Sequence, residues 1–415
     1  MIHIGLVGFW AVAFVIKQGF GMIKKTYDVR FTLYVRDADK FHKEYHDILS
    51  TEDKVVVIRS LSEYTPDESQ SLFEWVDYLI NTSIPSNNLP LMKIAQQIGA
   101  TYIDLASVVG TDMFGHQSFP QMVYHTEFVN SWVLGIINAG ISPGITECII
   151  AEIVASSGST PHTITIYLQE HLYTNGVLPS WSPITAIEEL TTNPARLKDG
   201  EIQTAPPFNH RSKKNITYQD WSETINVSIS HYPLFQEELM SIYQQRPTIN
   251  NINIRTGGGE VEEVKTLIEF GVLSDKASDG PWSKTLKEIF IHTLPSAATK
   301  GQIIQAYTQW SIDTIYFGAL IDINMMDHTS HKARIAFDEN CRTRLKSTPC
   351  RWATYISYPT GIATVCMIHN LIKQWDRASW VFNVLEYALA YPGRRKAVLE
   401  DIQTLGVFVI QWNDS

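Results

Sequence analysis

The stretch IGLVGFWAVAFVI, residues 4–16, decides how the chain folds. It is an uninterrupted apolar run that Lys17 ends. A helix needs about 20 apolar residues to cross a bilayer, so the run is too short to span one. A signal peptide carries Lys or Arg ahead of its apolar segment, and only Met-Ile-His stands there. The run reads as a buried strand that passes through a glycine turn into a buried helix.

A dinucleotide fingerprint sits at such a turn. In GxGxxG the second glycine lets the backbone approach a pyrophosphate, and the third lets helix and strand pack closely. Here Gly8-Phe9-Trp10-Ala11-Val12-Ala13 keeps the first glycine, replaces the third by Ala13 and puts Trp10 in place of the second. On this motif alone, nucleotide binding and a buried structural turn both stay open. Asp37 ends the second expected strand, where a carboxylate accepts bonds from the adenosine ribose hydroxyls. The same side chain is also placed to cap the following helix. Its neighbour Arg36 suits a 2′-phosphate, which leaves NAD and NADP as alternatives.

Outward from this turn, short apolar strands alternate with helical stretches. Strands are expected at His3–Gly8, Arg30–Arg36, Val55–Ile58, Val76–Thr82, Thr101–Leu105 and Trp132–Asn138, and helices at Trp10–Ile23, Ala38–Leu49 and Leu89–Ile98. This is an α/β pattern: an N-terminal Rossmann-type, doubly wound parallel sheet over residues 1–137. β-rich stretches and polar loops follow, giving a second mixed α+β substrate and dimerisation domain over 138–350. Residues 351–415 read as a helical segment that returns to the nucleotide domain, with Gly361–Gln374 its most apolar helix.

Composition narrows the function classes. The 415 residues carry 33 Lys+Arg against 43 Asp+Glu, a formal charge of −10 with no basic run, so a nucleic-acid surface is not expected. Cys148, Cys341, Cys350 and Cys366 are too scattered for a disulfide framework or a metal knuckle, which fits a reducing, cytoplasmic setting. His42 and His46 share a helix face, but HKEYH lacks the zincin spacing and sits among polar residues; no metal site is expected.

Several stretches carry a family resemblance. YLINTSIPSNNLPLMKIAQQIGATYIDLA (78–106), NAGISPGITECIIAEI (138–153), SWSPITAIEEL with PARLKDGEI (180–190 and 194–202), YPLFQEELMSIYQQRPTINNINIRTG (232–257) and SYPTGIATVCMIHNLI (357–372) follow one another as they do in saccharopine and carboxynorspermidine dehydrogenases. The chain resembles that superfamily. The resemblance implies an NAD(P)-dependent oxidoreductase acting on CH–NH bonds, which joins an amine to a carbonyl compound by reduction or runs the reverse. It implies a pyrophosphate against Gly8, Phe9, Trp10, Ala11 and Val12, and a ribose near Asp37. It also implies a nicotinamide bordered by Thr82, Ser83, Ile84 and Pro85 and by Asp104, Leu105 and Ala106. Ser142, Pro143 and Gly144 would open a helix whose free N–H groups suit an anionic substrate group. Trp181 would wall the substrate site, or else serve as packing. A cytoplasmic homodimer working on small molecules, away from membranes, completes the expectation.

Asp104 is the candidate catalytic residue, for positioning or proton transfer; the competing reading is a carboxylate that accepts bonds from loop N–H groups. Departures from the family pattern bear on the substrate. Where the saccharopine reductases carry arginines for substrate carboxylates, this chain has Ile184 and Phe235, which argues against aminoadipate semialdehyde with glutamate. Two other readings compete: a non-catalytic dinucleotide-binding scaffold, which Trp10 favours, and a homospermidine synthase-like transferase that retains NAD as a prosthetic group.

Overall fold

The computed structural model describes residues 1–23, 28–107, 110–111, 117–174, 183–220, 223–246, 248–273, 285, 287–288, 290, 300–308, 312–374, 379–405 and 409–414. They form two compact units. The first comprises Met1–Gly158, Met240–Arg246 and Leu345–Val407; the second comprises Ser159–Leu239, Pro247–Arg344 and Phe408–Ser415.

The first unit is built on a seven-stranded parallel sheet. Its strands β1 (Ile2–Val7), β2 (Val29–Val35), β3 (Lys54–Val57), β4 (Tyr78–Asn81) and β5 (Thr101–Asp104) are joined by strands Leu134–Ile137 and Trp380–Asn383. From one edge the order is Trp380–Asn383, Leu134–Ile137, β5, β4, β1, β2, β3. β1 pairs in parallel with both β2 and β4, so the strand order reverses beside it. This is the switch point of a doubly wound sheet, outside whose strand ends ligands bind. Apart from His3, β1 is apolar because helices cover both faces of such a sheet; Ile4 and Leu6 are fully buried.

Helix α1 (Ala11–Met22) follows β1 and buries Ala13, Phe14, Val15 and Ile16. Lys17, which ends the apolar run, is paired with Asp53 at 2.7 Å. Helix α2 (Ala38–Tyr45) starts at an Asp37 N-cap. Helix α3 (Pro66–Phe73), absent from the sequence expectation, is opened by a capping box between Thr65 and Glu68. Helices α4 (Asn88–Ile98), α5 (His125–Asn130) and α6 (Ile145–Ser157) complete the stretch before Gly158. The helix Ser357–Gln374 then packs on α1.

Two features differ from the expectation. α6 packs in the first unit, beside helices Val384–Ala390 and Pro392–Leu405, so this unit runs to Gly158 instead of ending at residue 137. The C-terminal segment is not purely helical: Trp380–Asn383 is the outer strand of the first sheet, and Val409–Asp414 is a strand of the second. Four residues bounded by helices are too short to show strand periodicity in sequence.

The second unit carries a nine-stranded mixed sheet. Strands Pro161–Thr174 and Asn251–Gly257 pair in parallel, and the other neighbours are antiparallel. Ile164 and Ile166 are fully buried. Helices Pro183–Thr191 and Gly259–Glu269 contribute Ile187 and Val264 to one core cluster, and the hairpin Ser212–Pro233 seats Ile216 and Ile229 against Tyr316 and Ala336 in another. All four cysteines are buried free thiols. Among the described residues, no helix is long and apolar enough to cross a membrane, and no group of three or more His, Cys, Asp or Glu is placed to hold a metal ion.

Gly361 sets how closely the returning helix approaches α1, because a Cβ there would stand 2.6 Å from Val15 Cβ. Gly361→Ala should therefore lower the denaturation midpoint, by about 1–3 kcal/mol of overpacking. Gly21→Ala in α1, where a Cβ meets nothing within 4 Å, should be neutral or stabilising. Equal midpoints for the two variants would contradict this packing.

Candidate functional site

The expected cofactor residues of the first unit converge on the carboxyl ends of β1, β4 and β5. Gly8 turns the chain out of β1 with φ +81°, a left-handed conformation that glycine adopts freely. A Cβ at this position would lie 2.7 Å from Ser83 Cβ, so the β1 and β4 loops touch here. Thr82 fastens them further: its N–H donates to Val7 O at 3.0 Å, and its hydroxyl donates to Val7 O at 3.0 Å and to Gly8 O. Trp10 then serves as the N-cap of α1, in extended backbone and 46% exposed. Phe14 N–H makes the first helical bond, to Trp10 O, so the N–H groups of Ala11, Val12 and Ala13 precede any intrahelical acceptor. The first turn of α1 holds no acidic residue, leaving its positive end uncompensated.

Phe9 packs edge-on against Phe41 and Tyr45 of α2, with ring centroids 5.1 and 5.0 Å away. Asp37 is exposed just past the end of β2, and its Oδ1 caps α2 by accepting from Lys40 N–H at 2.9 Å. The cap uses one carboxylate oxygen.

The β4 and β5 ends are held by a buried polar network that the sequence reading missed. Asn81 Oδ1 accepts from Ser83 N–H and Ser83 Oγ at 2.9 and 2.6 Å, and Asn81 Nδ2 donates to Asn88 Oδ1 at 2.6 Å. Tyr102 OH donates to the same Asn88 oxygen, and Asn88 Nδ2 reaches Ala106 O at 2.9 Å. These bonds fix Ser83 and Ala106, while Ile84 stays 47% exposed and Pro85 and Leu105 are half-buried. Asparagines inside an otherwise apolar strand-helix stretch were the available signal.

Asp104 is only 1% exposed. Its Oδ1 accepts from Asn138 N–H at 2.8 Å and its Oδ2 from Gln121 Nε2 at 3.2 Å. Gln121 also reaches Ser107 Oγ, and Ser107 donates to Asn138 Oδ1 at 2.6 Å. This geometry matches the loop-bonding reading of Asp104. Burial, outweighing the bonds from Asn138, Gln121 and Tyr102, pushes its carboxyl up to about 7. Asn138 is fully buried with φ +67°, and its Nδ2 has no partner.

The Gly140–Gly144 loop behaves differently from its expectation. Gly144 caps α6 at φ +129°, with its would-be Cβ 2.0 Å from Gly140 O. Ile145 and Thr146 N–H donate to Gly140 O and Ile141 O at 3.1 and 3.0 Å, and Pro143 has no N–H. Ser142, Pro143 and Gly144 therefore open a helix whose first two N–H groups are already taken by its own loop. The loop is tethered by Thr364 Oγ, which donates to Ala139 O at 2.8 Å. Trp181 lies outside the described residues.

The comparisons with known proteins agree with this architecture. No family model matches the chain. A carboxyaminopropylagmatine dehydrogenase from Synechocystis sp. is 25% identical over 175 residues, covering 42% of this chain and 42% of that protein, less than half of its length. Saccharopine dehydrogenase (L-Glu forming) from Saccharomyces cerevisiae superposes with a TM-score of 0.66 at 12% identity, covering all of both chains. Homospermidine synthase from Legionella pneumophila, solved in complex with NAD, gives 0.64 at 11% identity over all of this chain and 91% of that one. The chain thus has the saccharopine dehydrogenase-like fold that its motifs implied.

The Asp104 network has a pH signature. An unfolded aspartate titrates near 3.9, so the folded chain keeps a proton that the unfolded chain loses between about pH 4 and 7. Stability should fall as pH rises through that window, by on the order of 3–4 kcal/mol from this group. Asp104→Asn should remove that part of the slope in denaturation midpoints taken at about pH 4 and about pH 8. A slope unchanged by the substitution would show that the carboxyl ionises normally.

Proposed function

We propose that the chain is an NAD(P)-dependent oxidoreductase that acts on CH–NH bonds, reductively condensing an amine with a carbonyl compound or reversing that reaction. The observation that carries this reading is the Gly8 turn into α1 at the switch point of a saccharopine dehydrogenase-like sheet. The residues present fit a dinucleotide. The left-handed Gly8 turns the chain sharply into α1, α1 offers an unneutralised N-terminus, and Asn138 Nδ2 is a buried donor awaiting an acceptor. Bound there, the nicotinamide would supply or accept the hydride.

The chain's own groups divide the remaining work. Ala11, Val12 and Ala13 N–H groups would hold the pyrophosphate, and the second Asp37 oxygen would accept from a ribose hydroxyl. Thr82, Ser83, Ile84 and Pro85, with Leu105 and Ala106, would border the nicotinamide. Asp104, Gln121, Ser107 and Asn138 form the floor beside it, and Asp104 acts by positioning Asn138 rather than by meeting substrate. The homodimer implied by the resemblance belongs to this same proposal.

The substrate class follows from what replaces the arginines. Around Phe235 the second unit buries Glu237 and Glu238. Burial, then the carboxylates of Glu237, Glu238 and Glu260, drives Glu189 well above the ordinary glutamate range. Such an interior favours a cationic amine over a dicarboxylate. The names of the carboxyaminopropylagmatine dehydrogenase and the homospermidine synthase support the same reading. A homospermidine synthase-like transferase is the second reading, since that fold matches almost as well; net consumption of NAD(P)H separates the two.

Asp37→Ala should weaken dinucleotide binding by roughly 1–3 kcal/mol, measured by calorimetry, because ribose hydroxyls lose a charged acceptor. Unchanged affinity would leave Asp37 as a helix cap alone.

NAD(P)H oxidation should need a primary amine and a carbonyl compound together, because only their imine presents a suitable electrophilic carbon. Polyamine-like amines with small semialdehydes or 2-keto acids should support it, and glutamate with aminoadipate semialdehyde should not. Oxidation with a carbonyl compound alone, or robust turnover of the glutamate pair, would overturn the assignment.

A further inference from the structure

Trp10 occupies the fingerprint position where glycine is ordinarily needed, and its geometry points to more than a tolerated replacement. Its backbone, at φ −128° and ψ −169°, is extended and open to any residue. The turn's real demand for glycine falls on Gly8, at φ +81°, and there glycine is kept. A tryptophan that had simply plugged a disused site would be packed against its walls. Trp10 is instead 46% exposed, and among the described residues no ring packs against it. Its predecessor Phe9 is drawn to Phe41 and Tyr45 on α2. Successive side chains in extended backbone point to opposite sides, which directs the indole away from that cluster.

The neighbouring loop repeats the pattern. Ile84, 47% exposed, follows Ser83, whose Cβ lies against Gly8. Two large apolar side chains thus stand uncovered on the touching loops of β1 and β4, beside the free N–H groups of α1. Leaving such surface in water is unfavourable, and a planar ring laid over it would gain stacking as well as burial.

We propose that Trp10 is a cofactor-contacting residue whose indole stacks on a ring of the bound dinucleotide, giving back in aromatic contact what the missing second glycine loses in backbone approach. This rests on the cofactor reading above. It makes tryptophan at this position a determinant of affinity and not an obstacle to it.

Calorimetric titration of the full chain with NAD and with NADP tests the proposal, using the wild type, Trp10→Phe, Trp10→Ala and Trp10→Gly. Thermal midpoints and circular dichroism serve as folding controls; an exposed side chain should leave both unchanged. Trp10→Ala and Trp10→Gly should each weaken binding roughly tenfold or more, the scale of one lost base–aromatic stack. Trp10→Phe, which keeps a ring, should stay within about threefold of the wild type. Trp10→Gly recreates the ordinary fingerprint and is the decisive variant: equal or tighter binding would mean that the indole obstructs the site, which overturns the proposal while the cofactor reading stands. Failure of the folded wild type to bind either dinucleotide would overturn both.

Discussion

The left-handed turn at Gly8, pinned against the β4 loop by Thr82, is the constraint on which the first unit depends. β1 is an interior strand of a sheet covered on both faces, so the chain must leave it sharply to enter α1 without burying unpaired backbone groups. Glycine makes that exit possible, and the Thr82 bonds to Val7 O and Gly8 O use carbonyls that the turn would otherwise leave bare. The close approach of Ser83 then holds the ends of β1 and β4 together. Between those ends the start of α1 is presented with its donors free. An edge that presents backbone donors is thus a by-product of the way the sheet is closed.

Beside that edge, the polar groups are arranged to hold loops and not to face solvent. Asn81 and Asn88 fasten the β4 and β5 ends, and Asp104 fastens Asn138. A buried carboxylate is costly unless its oxygens are satisfied, and here a backbone N–H and a side-chain amide satisfy them while burial still holds its proton affinity high. The network leaves Asn138 Nδ2 unpaired, although the Asn138 side chain is otherwise fixed. Rigid support with one open donor is what a ligand-orienting floor requires.

The second unit carries a different electrostatic character. Glu237, Glu238 and Glu260 crowd Glu189 there, and together with burial they raise its proton affinity. The sheet of Pro161–Thr174 and its neighbours is built instead from alternating apolar positions such as Ile164, Ile166, Ile252 and Ile254.

Sequence alone determined the α/β alternation, the strand-turn-helix at Gly8 and the apolar helix that starts near Gly361. Each is local: an apolar run, a punctuating glycine, a helical period. The motif order also made the saccharopine dehydrogenase-like fold legible. What only the tertiary structure decided is non-local. Trp380–Asn383 joins the sheet beside Leu134–Ile137, more than two hundred residues earlier, and no local pattern records that pairing. α6 belongs to the first unit because of what it packs against. Its first two N–H groups are consumed by Gly140 and Ile141 carbonyls, which withdraws the anion site that its sequence suggested. Asp104 looks the same in sequence whether it meets a substrate or a backbone N–H. Its bonds come from Asn138 and Gln121, which arrive from other loops, because burial and hydrogen-bond partners are properties of the folded neighbourhood and not of the residue.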